Sequence, residues 1–262
     1  LESDVCFLDL HDKITIEPSN LDQVKISDKS TFFLKDENIL LKTLNYFNRE
    51  FKNKNKFKIT LKKDIPIGAG LGGGSSDSAT LLLGLRYFYN RNPLNSKKIT
   101  LTKLKEIGLK IGSDVPACIV GKSLKLSGIG EKLKKIYIPK NYKFLLVYPN
   151  KKLSTKLVFD NFDFKTQNNF NPMYFNKIKI YNSLKIVSQS IEPEIKKILK
   201  ILKSFEKIIA FGMSGSGSSC FGIFKSSEDF VNDKAFEKLK LKKNYFIWHG
   251  NKKEFGYNRI IY

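Results

Sequence analysis

The sequence predicts an α+β protein whose chain forms two packed halves. Segments of strand character and segments of helix character mix along the 262 residues without the strict alternation of a doubly wound sheet. A polar, asparagine-rich stretch over residues 149–172 is the best candidate for a boundary. We therefore expect an N-terminal domain over residues 1–150 and a C-terminal domain over residues 151–262.

Alternation of apolar and polar side chains predicts the strands. Ile14 and Ile16 alternate with polar neighbours, and Phe57, Ile59 and Leu61 do so further along the chain. The predicted strands cover residues 12–17, 24–26, 57–61, 124–126, 144–148, 220–224 and 245–249. The strand at residues 57–61 leads directly into a glycine-rich loop, which is the first of two in the sequence.

Apolar side chains at helical spacing predict the helices. They cover residues 38–47, 75–92, 101–111, 181–189, 193–205 and 228–239. The second of these is apolar on most faces between Ala79 and Leu85, so we expect it to be buried. The third should end at the segment 112–116.

Composition excludes several classes of protein. The net charge of +22 would attract phosphates or nucleic acid. The lysines that cause this charge are spread among asparagines, however, and lack the interleaved aromatic residues on which nucleic-acid bases stack. We therefore do not expect a nucleic-acid partner. No apolar run approaches the roughly 20 residues that span a bilayer, which predicts a cytoplasmic protein, or a plastid one in a plastid-bearing source. Cys6, Cys118 and Cys220 show no paired spacing, so we expect reduced thiols.

The first glycine-rich loop has five glycines in seven positions, between a predicted strand and a predicted helix. Glycines allow successive N–H groups to point to one side, and the helix N-terminus adds partial positive charge. This arrangement is typical of a phosphate site. The predicted nucleotide-binding residues are Pro66, Ile67, Gly68, Ala69, Gly70, Leu71, Gly72, Gly73, Gly74, Ser75 and Ser76.

Three other interpretations of glycine motifs fail on context. Gly68, Gly70 and Gly73 form a G-x-G-x-x-G, but no acidic residue ends a second strand roughly 20 residues later, as a dinucleotide fold requires. Neither H-R-D nor D-F-G occurs, which excludes a protein kinase. Gly121-Lys122-Ser123 lacks the earlier glycine of a P-loop, because Pro116 occupies that position.

Asp114 follows a predicted helix and precedes an apolar run. From the local sequence alone, a cap or turn former is the better reading. Transfer of a phosphoryl group to a hydroxyl, however, needs a group that accepts the hydroxyl proton. His11 and His249, the only histidines, lie away from the motifs, so a carboxylate is favoured as the base.

The second glycine-rich loop, residues 212–219, precedes a predicted strand. It is either a tight hairpin connection or a surface where backbone approaches a ligand closely. We favour the second interpretation. The candidates for a substrate-side wall are Ser214, Gly215, Ser216 and Gly217.

Together, residues 66–79, 111–116, 127–131 and 213–220 resemble the ordered motifs of the GHMP kinase superfamily. The resemblance is greatest to members that act on a cytidine-diphosphate-linked methylerythritol in the non-mevalonate isoprenoid (terpenoid) pathway. It implies a domain like ribosomal protein S5 domain 2, followed by a ferredoxin-like domain, with the site between them. It also implies that ATP donates its γ-phosphoryl group to a substrate hydroxyl, with Asp114 as the catalytic aspartate. Mg²⁺ would accompany ATP; its ligands are unassigned, although Ser75 or Ser76 is a candidate.

The chain departs from this resemblance at its start. The family's first motif carries a lysine beside the catalytic aspartate and a Gly-Tyr-His segment that helps to hold cytidine, and neither has a counterpart after Leu1. We therefore expect weak nucleotide binding and slow turnover from these 262 residues. Two alternatives stay open: a GHMP kinase for homoserine or mevalonate-type alcohols, and a non-catalytic protein that binds nucleotides or nucleic acid.

Overall fold

The computed structural model describes residues 2–26, 38–163, 173–175 and 178–253. Within them the strands are β1 (Glu2–Val5), β2 (Lys13–Ser19), β3 (Gln23–Ile26), β4 (Lys56–Lys62), β5 (Leu124–Ser127), β6 (Lys132–Lys135), β7 (Tyr142–Tyr148), β8 (Met173–Phe175), β9 (Ile178–Ile180), β10 (Ala210–Met213), β11 (Cys220–Lys225) and β12 (Phe246–Asn251). The helices are α1 (Ile39–Phe51), α2 (Gly73–Arg91), α3 (Leu101–Ile111), α4 (Val115–Val120), α5 (Thr155–Asp160), α6 (Lys185–Ile191), α7 (Glu194–Lys203) and α8 (Lys234–Lys240). Each predicted strand and helix has a counterpart with bounds shifted by a few residues, except that the last predicted helix is shorter: Phe230–Asn232 forms a separate 3₁₀ turn and α8 starts only at Lys234.

Two helices lie where the sequence did not predict them. The third predicted helix ends at Ile111, as expected, but α4 starts only a few residues later. Pro116 is in the first turn of α4, where the missing N–H of proline costs no hydrogen bond. Helix α5 lies inside the stretch predicted to be a loop, and Ser154 caps it by accepting a hydrogen bond from Leu157 N at 3.3 Å. The prediction of a loop is therefore wrong for α5, and residues 164–172 lie outside the described part.

The N-terminal half contains two three-stranded sheets, with strand orders β2-β4-β3 and β1-β5-β6. Strand β4 pairs antiparallel with β2 and parallel with β3. Its alternating burial matches the predicted pattern, because Phe57, Ile59 and Leu61 are buried. Strand β4 ends at Lys62, and the chain enters the first glycine-rich loop a few residues later.

The C-terminal half contains a four-stranded antiparallel sheet, β10-β11-β7-β12, and the hairpin β8-β9. Strand β7 precedes the expected boundary at residue 150, yet it is an inner strand of this sheet, between β11 and β12. The division into residues 1–150 and 151–262 stays a prediction.

Each half has its own apolar core. In the first, α1, α2 and α3 pack together over β4, and Leu44, Leu82 and Leu104 are fully buried. In the second, Ile195, Ile198 and Leu202 of α7 pack against the four-stranded sheet. Among the described residues, no helix is both long and apolar enough to cross a membrane.

A short clasp joins the two halves. Asp9 N donates to Asn251 O at 3.0 Å, and Asn251 N donates to Asp9 Oδ1, also at 3.0 Å. Leu8 forms an isolated bridge with Lys252 next to this pair. The clasp links the segment after β1 to the end of β12.

Candidate active site

A cavity of about 2010 Å³ lies between the halves. Every residue of the first glycine-rich loop from Pro66 to Ser76 contributes to its lining. Asp114 lines it from the start of α4, and Ser214 to Ser216 line it from the C-terminal half. The structure therefore brings together, around one space, three regions that are far apart in sequence.

The first glycine-rich loop connects β4 to α2. Gly72 caps α2 in the left-handed region, with φ of 69°, which glycine adopts without steric cost. Helix α2 therefore begins inside the loop, at Gly73, and its first N–H groups have no partner within the helix. Those N–H groups and the helix dipole favour an anion at this end of the cavity.

The second glycine-rich loop packs directly on the first. Ser214 Oγ donates to Gly70 O at 2.8 Å, and Ser219 N donates to Ala69 O at 3.1 Å. A Cβ atom on Gly70 would lie 2.4 Å from Gly217 O, so only glycine fits there. Part of the predicted substrate-side wall thus supports the predicted phosphate loop.

The surroundings of Asp114 differ from those of a capping residue. It precedes α4, but its side chain makes no capping hydrogen bond. In the part of the chain that the structure describes, its carboxylate has no hydrogen-bond or ion-pair partner and faces the cavity. Burial raises the pKa of Asp114 above the usual range for an aspartate, which makes the carboxylate a better proton acceptor.

A buried ion triad beneath the first loop was not predicted. Lys63 Nζ donates to Asp77 Oδ2 at 2.9 Å and forms a short contact with Asp12 Oδ2. The lysine side chain is 8% exposed and each carboxylate 4%. Asp12 also accepts from Asp64 N at 2.7 Å and Ile65 N at 2.9 Å, which fixes the chain where it enters the loop.

Burial and charge oppose each other in this triad. Burial alone would lower the pKa of Lys63, but the neighbouring carboxylates of Asp77 and Asp12 raise it overall, so the ammonium stays charged. Burial raises the pKa of Asp77, and Lys63 only partly offsets this. The antiparallel pairing of β2 with β4, which only the structure reveals, places Lys13 opposite Lys62, so the adjoining residues Asp12 and Lys63 are close.

A second feature that the sequence did not reveal is an aromatic ring on α5. Phe159 is 49% exposed and lines the cavity. It was not predicted as a site residue because its segment was expected to be a loop. An exposed aromatic face on a cavity wall is a surface on which a flat ring system can stack.

Two known domain families match the chain. The GHMP kinases N terminal domain matches residues 38–122, and the GHMP kinases C terminal domain matches residues 176–240. The first match includes the first glycine-rich loop and Asp114, and the second includes the loop that packs on it. Fold and site therefore define a GHMP kinase.

Curated relatives of known name point to one family within the GHMP kinases. The 4-diphosphocytidyl-2-C-methyl-D-erythritol kinase of Clostridioides difficile (strain 630) is 33% identical over 262 residues, which cover 94% of this chain and 85% of the relative. The enzyme of the same name from Clostridium perfringens (strain SM101 / Type A) is 36% identical over 250 residues, covering 91% of this chain and 84% of the relative.

Comparison with solved structures points to the same family. A crystal structure of 4-(cytidine 5'-diphospho)-2C-methyl-D-erythritol kinase superposes with a TM-score of 0.74 at 25% identity, covering 96% of this chain and 89% of that one. A homoserine kinase from Cytophaga hutchinsonii reaches 0.66 at 13% identity, with 94% of this chain and 87% of that one covered, and shows the shared fold alone. The chain belongs to the GHMP kinases and, within them, to the family of 4-diphosphocytidyl-2-C-methyl-D-erythritol kinases. The predicted α+β two-domain GHMP fold and the predicted ATP-dependent small-molecule kinase are confirmed.

Proposed function

We propose that this chain transfers the γ-phosphoryl group of ATP to the 2-hydroxyl of 4-diphosphocytidyl-2-C-methyl-D-erythritol, a step in the supply of non-mevalonate isoprenoid precursors. The observation that carries the proposal is the position of Asp114. Its carboxylate, which no described residue pairs with, opens into the same cavity as the glycine-rich loop at the N-terminus of α2. A proton acceptor and an anion site facing one space are the two elements that phosphoryl transfer to an alcohol requires.

The first glycine-rich loop supplies the phosphate side of the reaction. Its backbone N–H groups and the start of α2 would hold the triphosphate with its γ-phosphorus toward the cavity. Because the packing of the second loop already fixes Gly70, the binding groups need little ordering when ATP arrives. The protein contributes to this step mainly by positioning the triphosphate and by stabilising its negative charge.

Asp114 supplies the alcohol side. Its carboxylate would orient the substrate hydroxyl and accept the hydroxyl proton as the new bond between oxygen and γ-phosphorus forms. The bond from the γ-phosphorus to the β,γ-bridging oxygen breaks at the same time, and ADP leaves with that electron pair. The raised pKa of Asp114 makes this proton transfer easier near neutral pH than it would be for an ordinary aspartate.

Mg²⁺ fits the donors at this site. Among the described residues, no group of three or more His, Cys, Asp or Glu side chains forms a metal cage. Magnesium at kinase sites does not need one, because it keeps several waters and binds through substrate phosphates and one or two protein oxygens. The hydroxyl of Ser75 or Ser76, at the end of the first glycine-rich loop, would hold it. When bound, the ion neutralises charge on the phosphates.

The alcohol's cytidine portion would bind on the wall formed by the C-terminal half. Phe159 on α5 offers an exposed ring on which a pyrimidine can stack. Ser216 lies near this helix, because its Oγ is 2.9 Å from Oγ1 of Thr155, which is also on α5.

A cytoplasmic location stays a prediction from the sequence.

A substrate panel tests the proposal. ATP consumption and product formation are measured with 4-diphosphocytidyl-2-C-methyl-D-erythritol, homoserine and mevalonate under identical conditions. We expect phosphorylation of the first compound only. The last two compounds represent kinases that share the fold, so preferential phosphorylation of either would replace the proposed substrate. Salt-sensitive RNA binding without any kinase activity would support a non-catalytic protein instead.

A further inference from the structure

Asn182 lies between β9 and α6, and its side-chain amide is fully engaged. Its Nδ2 donates to Met213 O at 2.9 Å and to Gly215 O at 2.8 Å. Its Oδ1 accepts from Leu184 N at 2.9 Å, at the start of α6. A primary amide has two N–H donors, and both point at carbonyl groups of the second glycine-rich loop. One side chain therefore spans the first part of that loop and ties it to α6.

The carbonyl groups that Asn182 holds flank the contact between the two glycine-rich loops. Ser214 lies between Met213 and Gly215, and its Oγ donates to Gly70 O at 2.8 Å. The two loops approach closely here, because a Cβ added to Gly70 would be 2.9 Å from Ser214 O and 2.4 Å from Gly217 O. The hydrogen bonds from Ser214 Oγ to Gly70 O and from Ser219 N to Ala69 O therefore couple the position of the first loop to that of the second.

We infer that Asn182 is a positioning residue for nucleotide binding. It holds the second glycine-rich loop in the shape that sets Gly70, and through Gly70 the phosphate-binding backbone. Asn182 is not among the described residues that line the cavity, so it acts only through Ser214 and its neighbours. The inference rests on the proposed function in one respect, namely that the first loop binds the triphosphate of ATP.

The sharpest test replaces the amide with a carboxylate of the same size. Asn182→Asp puts an oxygen where an N–H faced the carbonyls of Met213 and Gly215, so attraction becomes repulsion. We expect the Kd for Mg²⁺·ATP, measured by isothermal titration calorimetry, to rise about 10- to 100-fold, because two hydrogen bonds to the loop are lost. In kinase assays the KM for ATP should rise more than the KM for the alcohol, because Asn182 holds the part of the second loop next to Gly70, whereas Ser216 is also held by Thr155 of α5 and Ser188 of α6. A role in stability alone would not separate the two constants.

Asn95→Asp is the matched control. Asn95 Nδ2 also donates to a backbone carbonyl, Tyr89 O, at 2.9 Å, but it lies beyond the C-terminal end of α2, whereas the first glycine-rich loop is at the N-terminus of that helix. The same chemical change there should leave the Kd for Mg²⁺·ATP unaltered. Circular dichroism of all variants shows whether each is folded. If Asn182→Asp does not fold, Asn182→Ala decides, since it removes the donors without adding charge and should still weaken binding about tenfold.

A double-mutant cycle tests the route through Ser214. If Asn182 acts through the hydrogen bond from Ser214 to Gly70, Ser214→Ala should weaken ATP binding less in the Asn182→Ala background than in the wild type. Fully additive effects would overturn this route. A folded Asn182→Ala that binds Mg²⁺·ATP as tightly as the wild type would overturn the inference alone. A wild-type chain with no ATP binding would overturn the proposed function itself.

Discussion

Asp114 and Asp77 are both largely buried at the same cavity, and burial raises the pKa of each, yet their surroundings differ. Asp77 is paired with the ammonium of Lys63 at 2.9 Å and belongs to a triad that fixes the entry to the glycine-rich loop. Asp114 has no protein partner in the described part of the chain. A raised pKa alone therefore does not distinguish the two carboxylates; a charged partner among the described residues does, and on this ground we propose Asp114, not Asp77, as the base.

The largest expected effect comes from removing the unpaired carboxylate. Asp114→Asn keeps the shape of the side chain but cannot accept the hydroxyl proton, so kcat should fall about 10²- to 10⁴-fold. Thermal unfolding should occur at the same or a higher temperature, because the variant no longer keeps a charge in a buried position. Steady-state kinetics and calorimetry check both statements. A variant that unfolds much earlier would place Asp114 in the structural class of Asp77.

The next effect comes from removing the cation of the triad. Lys63→Met leaves the carboxylates of Asp12 and Asp77 buried without a counter-charge, which should lower the free energy of unfolding by about 3–5 kcal/mol. Urea denaturation measures this change. Lys62→Met is the control: Lys62 is the preceding residue and is exposed, so its replacement should change stability by no more than about 0.5 kcal/mol. Equal decreases in the free energy of unfolding of both variants would show that the triad does not specifically stabilise the fold.

The smallest effect is a displacement of the acid limb of the pH profile. Asp114 must be ionised to accept a proton, and burial raises its pKa, so kcat/KM should decline at a pH above the value of about 3.9 that is ordinary for aspartate. The same raised pKa means that Asp114 lowers stability as pH rises from the unfolded pKa through the folded pKa. Activity and stability should thus change in opposite directions over this interval. A kcat/KM that holds constant down to pH 4 would show that another group is the base.

Much of the fold could be predicted from the sequence because local patterns determined it. The alternation around Ile59 and the apolar face of α2 indicated their elements directly, and dense glycine before a helix indicated an anion site. Asp114 was harder, since the same local sequence suits a cap or a base, and only three-dimensional surroundings separate these roles. Lys63 was missed because one lysine among many carries no distinguishing local signal, and its partners come from the segment before β2 and from α2. The support that Asn182 gives to the loop depends likewise on tertiary contacts.

The inner position of β7 has a consequence for the order in which the two cores can form during synthesis. The buried members of the first core end at Ile119, so they can assemble while the rest of the chain is still being made. The four-stranded sheet must wait, because β7 needs β12, whose last residue is Asn251, as its second neighbour. Strand β7 has two unpaired edges until β11 is made and one until β12 is made, and the ribosome-bound chain is exposed to aggregation at this apolar strand.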